Sequence, residues 1–346
     1  MKNIRVILCG CGGVGKEFLQ LLADRGEELA ENYGLRLQLA AAVDLHGGAL
    51  AEAGDCLPVA KLIDFIRQGN EVQDFPTYGE AGLNGVEVIG KLGGDALVEA
   101  TPTNLIDGGC GKDHIVAAIE NNMEVISANK GPFVLYFREL FDKAKAMGCG
   151  LHISAATAAA LPTLDIGLTS LAGTRVSSAE GILNGTTNYI LSEMRDNNTG
   201  YDEALKAAQQ LGIAETDPSY DVEGKDTANK IVLIANRIFN RSFTLSDISV
   251  RGITEVSPTE ISEATKSNKV IKLIGSAIID NGEITLTVEP KAIGLNHPLA
   301  QVNGSEKAIT YTTDTMGAIT VMGGKSSPVG AAAALLKDLL NAYKVV

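Results

Sequence analysis

The chain has 346 residues, of which 45% are apolar and 21% charged, an ordinary soluble composition and a length sufficient for two domains. A net charge of −13, with no cluster of Lys or Arg to overrule it, excludes a general phosphate-backbone binder, so no nucleic-acid partner is expected. Glycines from Gly10 cut the first apolar run too short for a signal peptide, and Pro162 and Asp165 interrupt the longest small-apolar stretch; no membrane span is expected and the location reads as cytoplasmic.

Residues 4–9 form a short β-rich run that leads into Gly10-Cys-Gly12-Gly13-Val14-Gly15, and residues 16–30 follow with helical periodicity. This is Gly-x-Gly-x-x-Gly between a strand and a helix. Gly10 permits the tight turn, Gly12 lets a pyrophosphate approach the backbone, Gly15 lets helix and strand pack closely, and the helix N-terminus attracts the anion. The alternative is a merely Gly-rich turn. Residues 37–43 are a second strand with Asp44 at its end, where an acid receives a ribose 2′-hydroxyl and repels a 2′-phosphate; this favours NAD and leaves NADP possible. The gap from Gly15 to Asp44 exceeds the usual ~20 residues, which a longer first helix absorbs, and Asp44 as a simple loop cap is the competing reading. Residues 47–82 read as helices and loops covering the sheet.

Residues 96–100 are another strand, ending in Thr101-Pro102-Thr103-Asn104 at the carboxyl end where this architecture binds ligands. A helix over 113–121 and a strand over 123–127 lead to Ala128-Asn129-Lys130-Gly131-Pro132, whose lysine at a strand tip can point into a nicotinamide crevice or be a solvated loop residue. A helix over 133–147 and a strand over 151–154 precede the small-residue run 155–162, read first as tight packing. From about Ser177 the elements shorten. Residues 181–189 look like a strand turning through Asn184-Gly185 into a helix, with Thr and Asn able to cap it or to contact a ligand, capping being the default, and 201–211 is helical.

Residues 215–230 then hold five carboxylates and two lysines in sixteen positions. Asp226 reads as a helix start, which puts Asp226 and Lys230, four apart, on one face. Such a pair can grip a zwitterion, move a proton, or be an ordinary surface ion pair. Residues 270–280 and 283–290, joined by Asn281-Gly282, make a strong hairpin signal. Residues 318–322 form a strand, and Gly323-Gly-Lys-Ser-Ser-Pro328 precedes a helix over 329–342 that resembles the first domain in composition. The five cysteines are odd in number without Cys-x-x-Cys spacing, and the four histidines are scattered, which fits reduced thiols and no zinc site.

The segments Gly10 to Gly15, Ala128 to Pro132, Gly181 to Ile190, Gly212 to Lys230, His297-Pro-Leu-Ala300 and the Gly323-Gly324 loop together resemble homoserine dehydrogenase, in that family's order. The resemblance implies an α/β fold: a Rossmann-type dinucleotide-binding domain, residues 1–132 completed by 312–346, with a second α+β catalytic and dimerisation domain, 133–311. It implies NAD(P)-dependent interconversion of L-homoserine and L-aspartate 4-semialdehyde in threonine and methionine biosynthesis, a small amino-acid substrate and a homodimer. It also implies the short form without an ACT regulatory domain. The family's roles fall on Lys130, Asp226 and Lys230 for catalysis, and on Glu215, Asp221 and Thr157 for substrate. They fall on Gly10, Gly12, Gly13, Val14, Gly15, Asp44, Thr101, Pro102, Lys130 and Gly323 for cofactor.

Two departures stand out. Where the family usually reads Glu-Ala-(Thr/Ala)-Val-x-Gly-Gly-x-Pro, this chain has Ser154-Ala-Ala-Thr-Ala158-Ala159-Ala160-Leu-Pro162, so Ser154 replaces the glutamate that helps hold a monovalent cation and no metal site is assigned. Alanines in place of the paired glycines add β-carbons and restrict positive φ. The competing functions are a paralogous dehydrogenase for another small amino or hydroxy acid, separated by a substrate panel, and a non-catalytic nucleotide-binding module, which predicts binding without turnover.

Overall fold

The computed structural model describes residues 1–52, 54–324 and 326–344. Two compact units result, Met1–Ala160 with the segment from Ser327, and Leu161–Ser326; the mixed α/β class matches expectation.

In the first unit β1 (Lys2–Cys9), α1 (Gly13–Tyr33) and β2 (Leu35–Asp44) open the chain. Ile4, Val6, Ile7 and Leu8 of β1 are all buried, because a parallel central strand is covered on both faces. The helix α1 turns Phe18, Leu19, Leu22 and Leu29 to the core and stops at Gly34, which takes the left-handed φ of 66°. There follow β3 (Gly47–Leu50), α2 (Val59–Arg67), β4 (Gly79–Ala81), α3 (Gly85–Leu92), β5 (Ala96–Glu99), α4 (Gly109–Glu120), β6 (Glu124–Ser127), α5 (Gly131–Met147), β7 (Leu151–His152) and α6 (Ser154–Ala158). The sheet order is β4-β3-β2-β1-β5-β6-β7. The five strands from β2 to β7 in that order are parallel, whereas β3 and β4 add antiparallel.

Those two strands correct the expectation of helices and loops alone over 47–82. Their backbones approach so closely that a β-carbon on Gly47 would lie 2.5 Å from the Glu80 carbonyl, and one on Gly79 2.1 Å from that of Gln73. Strands built on glycine carry no β-branched signature.

The second unit contains α7 (Thr163–Asp165), β8 (Val176–Ile182), α8 (Gly185–Asp196), α9 (Tyr201–Gln210), α10 (Ser219–Val222), α11 (Lys225–Phe239), β9 (Ile248–Val250), α12 (Pro258–Lys266), β10 (Lys269–Asp280), β11 (Glu283–Gly294), β12 (Ala308–Thr313) and β13 (Gly317–Met322). Its sheet runs β13-β12-β8-β10-β11-β9. The β10–β11 hairpin pairs Asp280 with Glu283 and turns through Asn281 and Gly282, both at positive φ, as the Asn-Gly dipeptide predicts. The helix α11 buries Ile231 to Ala235 completely. It approaches β10 at Gly275, where a β-carbon would sit 2.9 Å from the Thr227 methyl.

The chain then returns to the first unit as α13 (Pro328–Tyr343). Leu335, Leu336, Leu339 and Leu340 join the core that holds Phe18, Leu19 and Leu22. The expected domain limits therefore shift at both ends. Residues 133–160 belong to the first unit because β7 pairs with β6; residues 312–322 belong to the second because β12 pairs with β8 and β13 with β12. Lys325, Val345 and Val346 of the expected returning segment lie outside the described residues. Among the described residues no helix is long and apolar enough to cross a membrane.

Candidate active site

The strand order of the first unit reverses direction at β1, so the crevice beyond β1 and β5 is its switch point, where open α/β sheets bind ligands. Gly10 turns the chain there at a φ of +96°, and a β-carbon on it would lie 2.6 Å from the Ala100 carbonyl and the Thr101 nitrogen. A β-carbon on Gly15 would lie 1.9 Å from the Gly10 carbonyl. At Gly12 a β-carbon meets nothing within 4 Å. Gly10 and Gly15 thus answer to the protein's own packing, and Gly12 leaves open space. Gly12 caps α1 with no side-chain hydrogen bond, and the first turn, which includes Gly13, Val14 and Gly15, has no acid. Its free N–H groups form the dipole end that suits a pyrophosphate, so these residues fit a dinucleotide.

Asp44, at the end of β2, is exposed. It lines a pocket of about 340 Å³ with Cys11, Gly12, Lys16, His46 and Glu71. Burial first, then Asp44, pushes the Cys11 thiol well up, with Lys16 opposing; that thiol stays protonated.

Beneath the crevice lies a buried polar network that the sequence reading did not single out. Glu99, fully buried, accepts from the Thr101 nitrogen at 2.8 Å and from the Thr101 hydroxyl, and its other oxygen lies 2.8 Å from His114 Nδ1. Asn129 Nδ2 donates to Thr101 Oγ1 at 3.1 Å and to the Pro102 carbonyl at 3.3 Å, while Asn129 Oδ1 accepts from Gly131 N at 3.1 Å. The tips of β5 and β6 are thereby tied together around Lys130, the N-cap residue of α5. Gly131 is needed here, because a β-carbon would lie 2.1 Å from the Asn104 carbonyl. Among the described residues Cys9, Glu99 and His114 form one group with metal-ligand proximity. Burial and Glu99 push the Cys9 thiol up, which disfavours the thiolate a metal takes.

At the end of this unit Ser154 donates from its nitrogen and hydroxyl to the buried Asp338 carboxylate, at 3.0 and 2.9 Å. Thr157 is fully buried, and its hydroxyl donates to the Ser154 carbonyl at 2.8 Å. Ala159 adopts a φ of +53° and ψ of −117°, a conformation that suits glycine better than alanine.

In the second unit, Asp226 and Lys230 stand on one face of α11. Lys230 Nζ donates to Asp226 Oδ2 at 2.5 Å and to the Leu183 carbonyl at 2.8 Å. Both side chains are largely buried, at 13% exposure for Lys230 and 8% for Asp226, which separates them from a solvated surface pair. Asn184 Nδ2 bridges two carboxylates, donating to Asp221 Oδ1 at 2.8 Å and Asp226 Oδ2 at 2.9 Å. Its Oδ1 accepts from Thr187 N at 2.9 Å. Capping and the site therefore share one side chain. Burial first, then the charges of Asp226 and Asp221, push the Tyr220 phenol well up.

Glu215 is exposed in the loop before α10, its carbonyl held by Gln209 Nε2 at 3.1 Å. Gly323 lies in the second unit and its N–H donates to the Lys307 carbonyl at 2.9 Å. Asp221, Asp226 and Lys230 are thus brought together within one unit, and Gly10 to Gly15, Thr101, Pro102 and Lys130 within the other. Asn184 was visible in sequence as a cap or a ligand contact, with capping the default.

A family profile described as "Homoserine dehydrogenase, NAD binding domain" matches residues 10–154, and one described as "Homoserine dehydrogenase" matches residues 162–340. The chain is 37% identical to a homoserine dehydrogenase of Methanocaldococcus jannaschii, covering 98% of each. It is 32% identical to an NAD(+)-dependent homoserine dehydrogenase of Pseudomonas canavaninivorans, over 99% of this chain and 97% of that one. A crystal structure of a homoserine dehydrogenase from Thiobacillus denitrificans superposes with a TM-score of 0.84 at 28% identity, over 99% of this chain and 73% of that one.

Proposed function

We propose roles for individual residues from one premise: the chain belongs to the homoserine dehydrogenase family, an NAD-binding oxidoreductase. The reaction is the interconversion of L-homoserine and L-aspartate 4-semialdehyde. Bound nicotinamide cofactor supplies a hydride acceptor or donor, so the chain's own residues must hold the substrate and move one proton. The observation that carries the assignment is the buried Lys230–Asp226 pair, with Asp221 joined to it through Asn184.

Lys230 exchanges the proton with the substrate oxygen. As an ammonium it donates to the forming alkoxide; as an amine it accepts the alcohol proton. Asp226 orients Lys230 through their hydrogen bond, and Asp221 with Glu215 receives the α-ammonium. Lys130, fixed at the strand tip by Asn129 and Gly131, is the second candidate for the proton. Gly10 to Gly15 hold the pyrophosphate, with Thr101 and Pro102 lining the crevice. Asp44 accepts the ribose hydroxyl, so NAD is preferred over NADP. Five free thiols agree with a reducing cytoplasm. A homodimer through the second sheet fits its edge strand β13, where Ile319 and Met322 are exposed.

The test is absorbance of reduced nicotinamide with L-homoserine, NAD and NADP in parallel. Lys230→Ala and Lys130→Ala should each lower kcat by about 10²- to 10⁴-fold, far more than either lowers NAD binding. Undiminished turnover in both variants refutes the scheme.

A further inference from the structure

The polar network beneath the crevice has a direction. Asn129 Oδ1 accepts from the Gly131 N–H at 3.1 Å, and because that N–H can only donate, the nitrogen of the amide is the end that faces Thr101. Asn129 Nδ2 therefore donates to Thr101 Oγ1 at 3.1 Å, and the Thr101 hydroxyl passes its own hydrogen to Glu99 Oε1. A carboxylate only accepts, and the same oxygen also takes the Thr101 N–H at 2.8 Å. Glu99 Oε2 lies 2.8 Å from His114 Nδ1, so both oxygens of the carboxylate are engaged. The single hydrogen of the Thr101 hydroxyl points inward, and one acceptor lone pair is left on its oxygen.

Glycines close the network in. A β-carbon on Gly111 of α4 would lie 2.4 Å from Asn129 Nδ2, 3.2 Å from Thr101 Oγ1 and 3.3 Å from Glu99 Oε1, and one on Gly85 of α3 would lie 2.4 Å from His114 Nε2. Glu99, Asn129 and His114 are buried, whereas Thr101 is half-buried; of these four residues it is the one that a ligand in the crevice can meet. The rest of β5 is Ala96, Leu97 and Val98, all fully buried, and a carboxylate in such company is costly to keep. Fastening β5 to β6 does not require it, because their parallel ladder already runs from Ala96 to Glu99. What the carboxylate adds is a fixed orientation for one hydroxyl.

That orientation matters to only one kind of ligand group. A ribose hydroxyl both donates and accepts, so it would pair with Thr101 whichever way the threonine turned. A carboxamide N–H only donates, and for it a hydroxyl locked as an acceptor is a partner where a freely turning one can be a rival donor. We infer that Glu99 is a positioning residue for the cofactor: by taking the hydrogen of the Thr101 hydroxyl it makes that hydroxyl an acceptor for the carboxamide N–H of the nicotinamide ring. This rests on the reading in which Thr101 and Pro102 line the dinucleotide crevice. A ring substituent that offers only an acceptor meets lone pair against lone pair at this point and is disfavoured.

The experiment is calorimetric titration of the full chain with NAD and with its 3-acetylpyridine analogue, whose methyl ketone keeps the acceptor of the carboxamide and lacks its N–H. The unaltered protein should bind NAD more tightly than the analogue by about tenfold, the effect of one hydrogen bond. Thr101→Val should weaken NAD by about tenfold and so erase the difference, and Thr101→Ser should restore it. Glu99→Met frees the hydroxyl to turn its hydrogen outward to the ketone, so this variant should bind the analogue more tightly than the unaltered protein does, a gain that damage to the fold cannot produce. Glu99→Gln should return to the original preference, because the Thr101 N–H, a donor only, holds the amide oxygen in the place of Oε1. Equal affinity for NAD and the analogue in the unaltered protein overturns the proposal without any variant having to fold, and so does a preference that survives in Thr101→Val. A preference that survives in Glu99→Met makes Glu99 structural and overturns it too. The premise fails separately: Gly12→Ala and Thr101→Val both without effect on NAD remove the crevice reading, whereas a weakened Gly12→Ala beside an unaffected Thr101→Val removes only this inference.

Discussion

Replacing Gly12 and Gly15 by alanine, one at a time, separates a glycine kept for a ligand from a glycine kept for the fold. At Gly12 the backbone φ is −73°, which any residue adopts, and a β-carbon meets no atom of the protein within 4 Å. Gly12→Ala should therefore fold and melt as the parent does. Its methyl occupies the space the pyrophosphate needs, and forcing one methyl into a filled contact costs about 1–3 kcal/mol, which corresponds to a rise in Kd for NAD of about 5- to 150-fold. At Gly15 the added carbon would lie 1.9 Å from the Gly10 carbonyl oxygen, against an ordinary contact of roughly 3.5 Å. The helix must retreat by more than about 1 Å, so Gly15→Ala should lose both affinity and stability, with Tm lower by about 2–12 °C from the same 1–3 kcal/mol. The chain has no tryptophan, so NADH fluorescence can be titrated without indole emission, beside calorimetric melting of each variant. Unchanged NADH affinity in Gly12→Ala, or a fall in Tm equal to that of Gly15→Ala, refutes the reasoning.

Asp44→Ser should raise kcat/KM with NADP relative to NAD by about tenfold or more, since a repelled phosphate is readmitted and 1.4 kcal/mol is tenfold; an unchanged ratio removes Asp44 from cofactor choice. Ala159→Gly relieves a φ of +53° and should raise Tm by about 1–6 °C, from strain of about 1–3 kcal/mol less the entropy of a new glycine; a lowered Tm counts against strain at that site. Glu124 ties β6 to β7, accepting from Gly150 N at 3.1 Å and lying 2.8 Å from His152 Nε2, and the His152 hydrogen bond first holds its carboxyl below the ordinary 4.5. A depressed carboxyl stabilises fully above its ordinary value and loses that contribution as pH falls through the folded one. Urea denaturation should accordingly show Glu124→Gln losing stability at neutral pH and converging on the parent in acid; a difference that persists unchanged into acid contradicts the pairing.

The first unit's parallel frame was legible because its strands are continuous apolar runs and its turn carries a glycine spacing with a steric cause at each position. Gly10 and Gly15 bear out those steric causes. Strands β3 and β4 were hidden because backbone proximity, and not side-chain pattern, selects their residues. The Asp226–Lys230 pair was legible by helical spacing, but its burial was not: that depends on β8 and on Asn184, about 40 residues away. Residues joined by a sheet register leave no periodic trace along the chain.

The first unit is closed by a helix that comes after the whole of the second. Leu335 and Leu339 of α13 fill the core against α1 and are fully buried, yet a ribosome makes them only after residues 161–326 have emerged. Until then the nascent first unit presents an uncovered apolar stripe on α1, a surface that chaperones bind and neighbouring nascent chains can seize. The second unit, contiguous in sequence, has all its strands available earlier. Synthesis therefore gives the second unit its complete set of strands before the first unit receives the helix that closes its core.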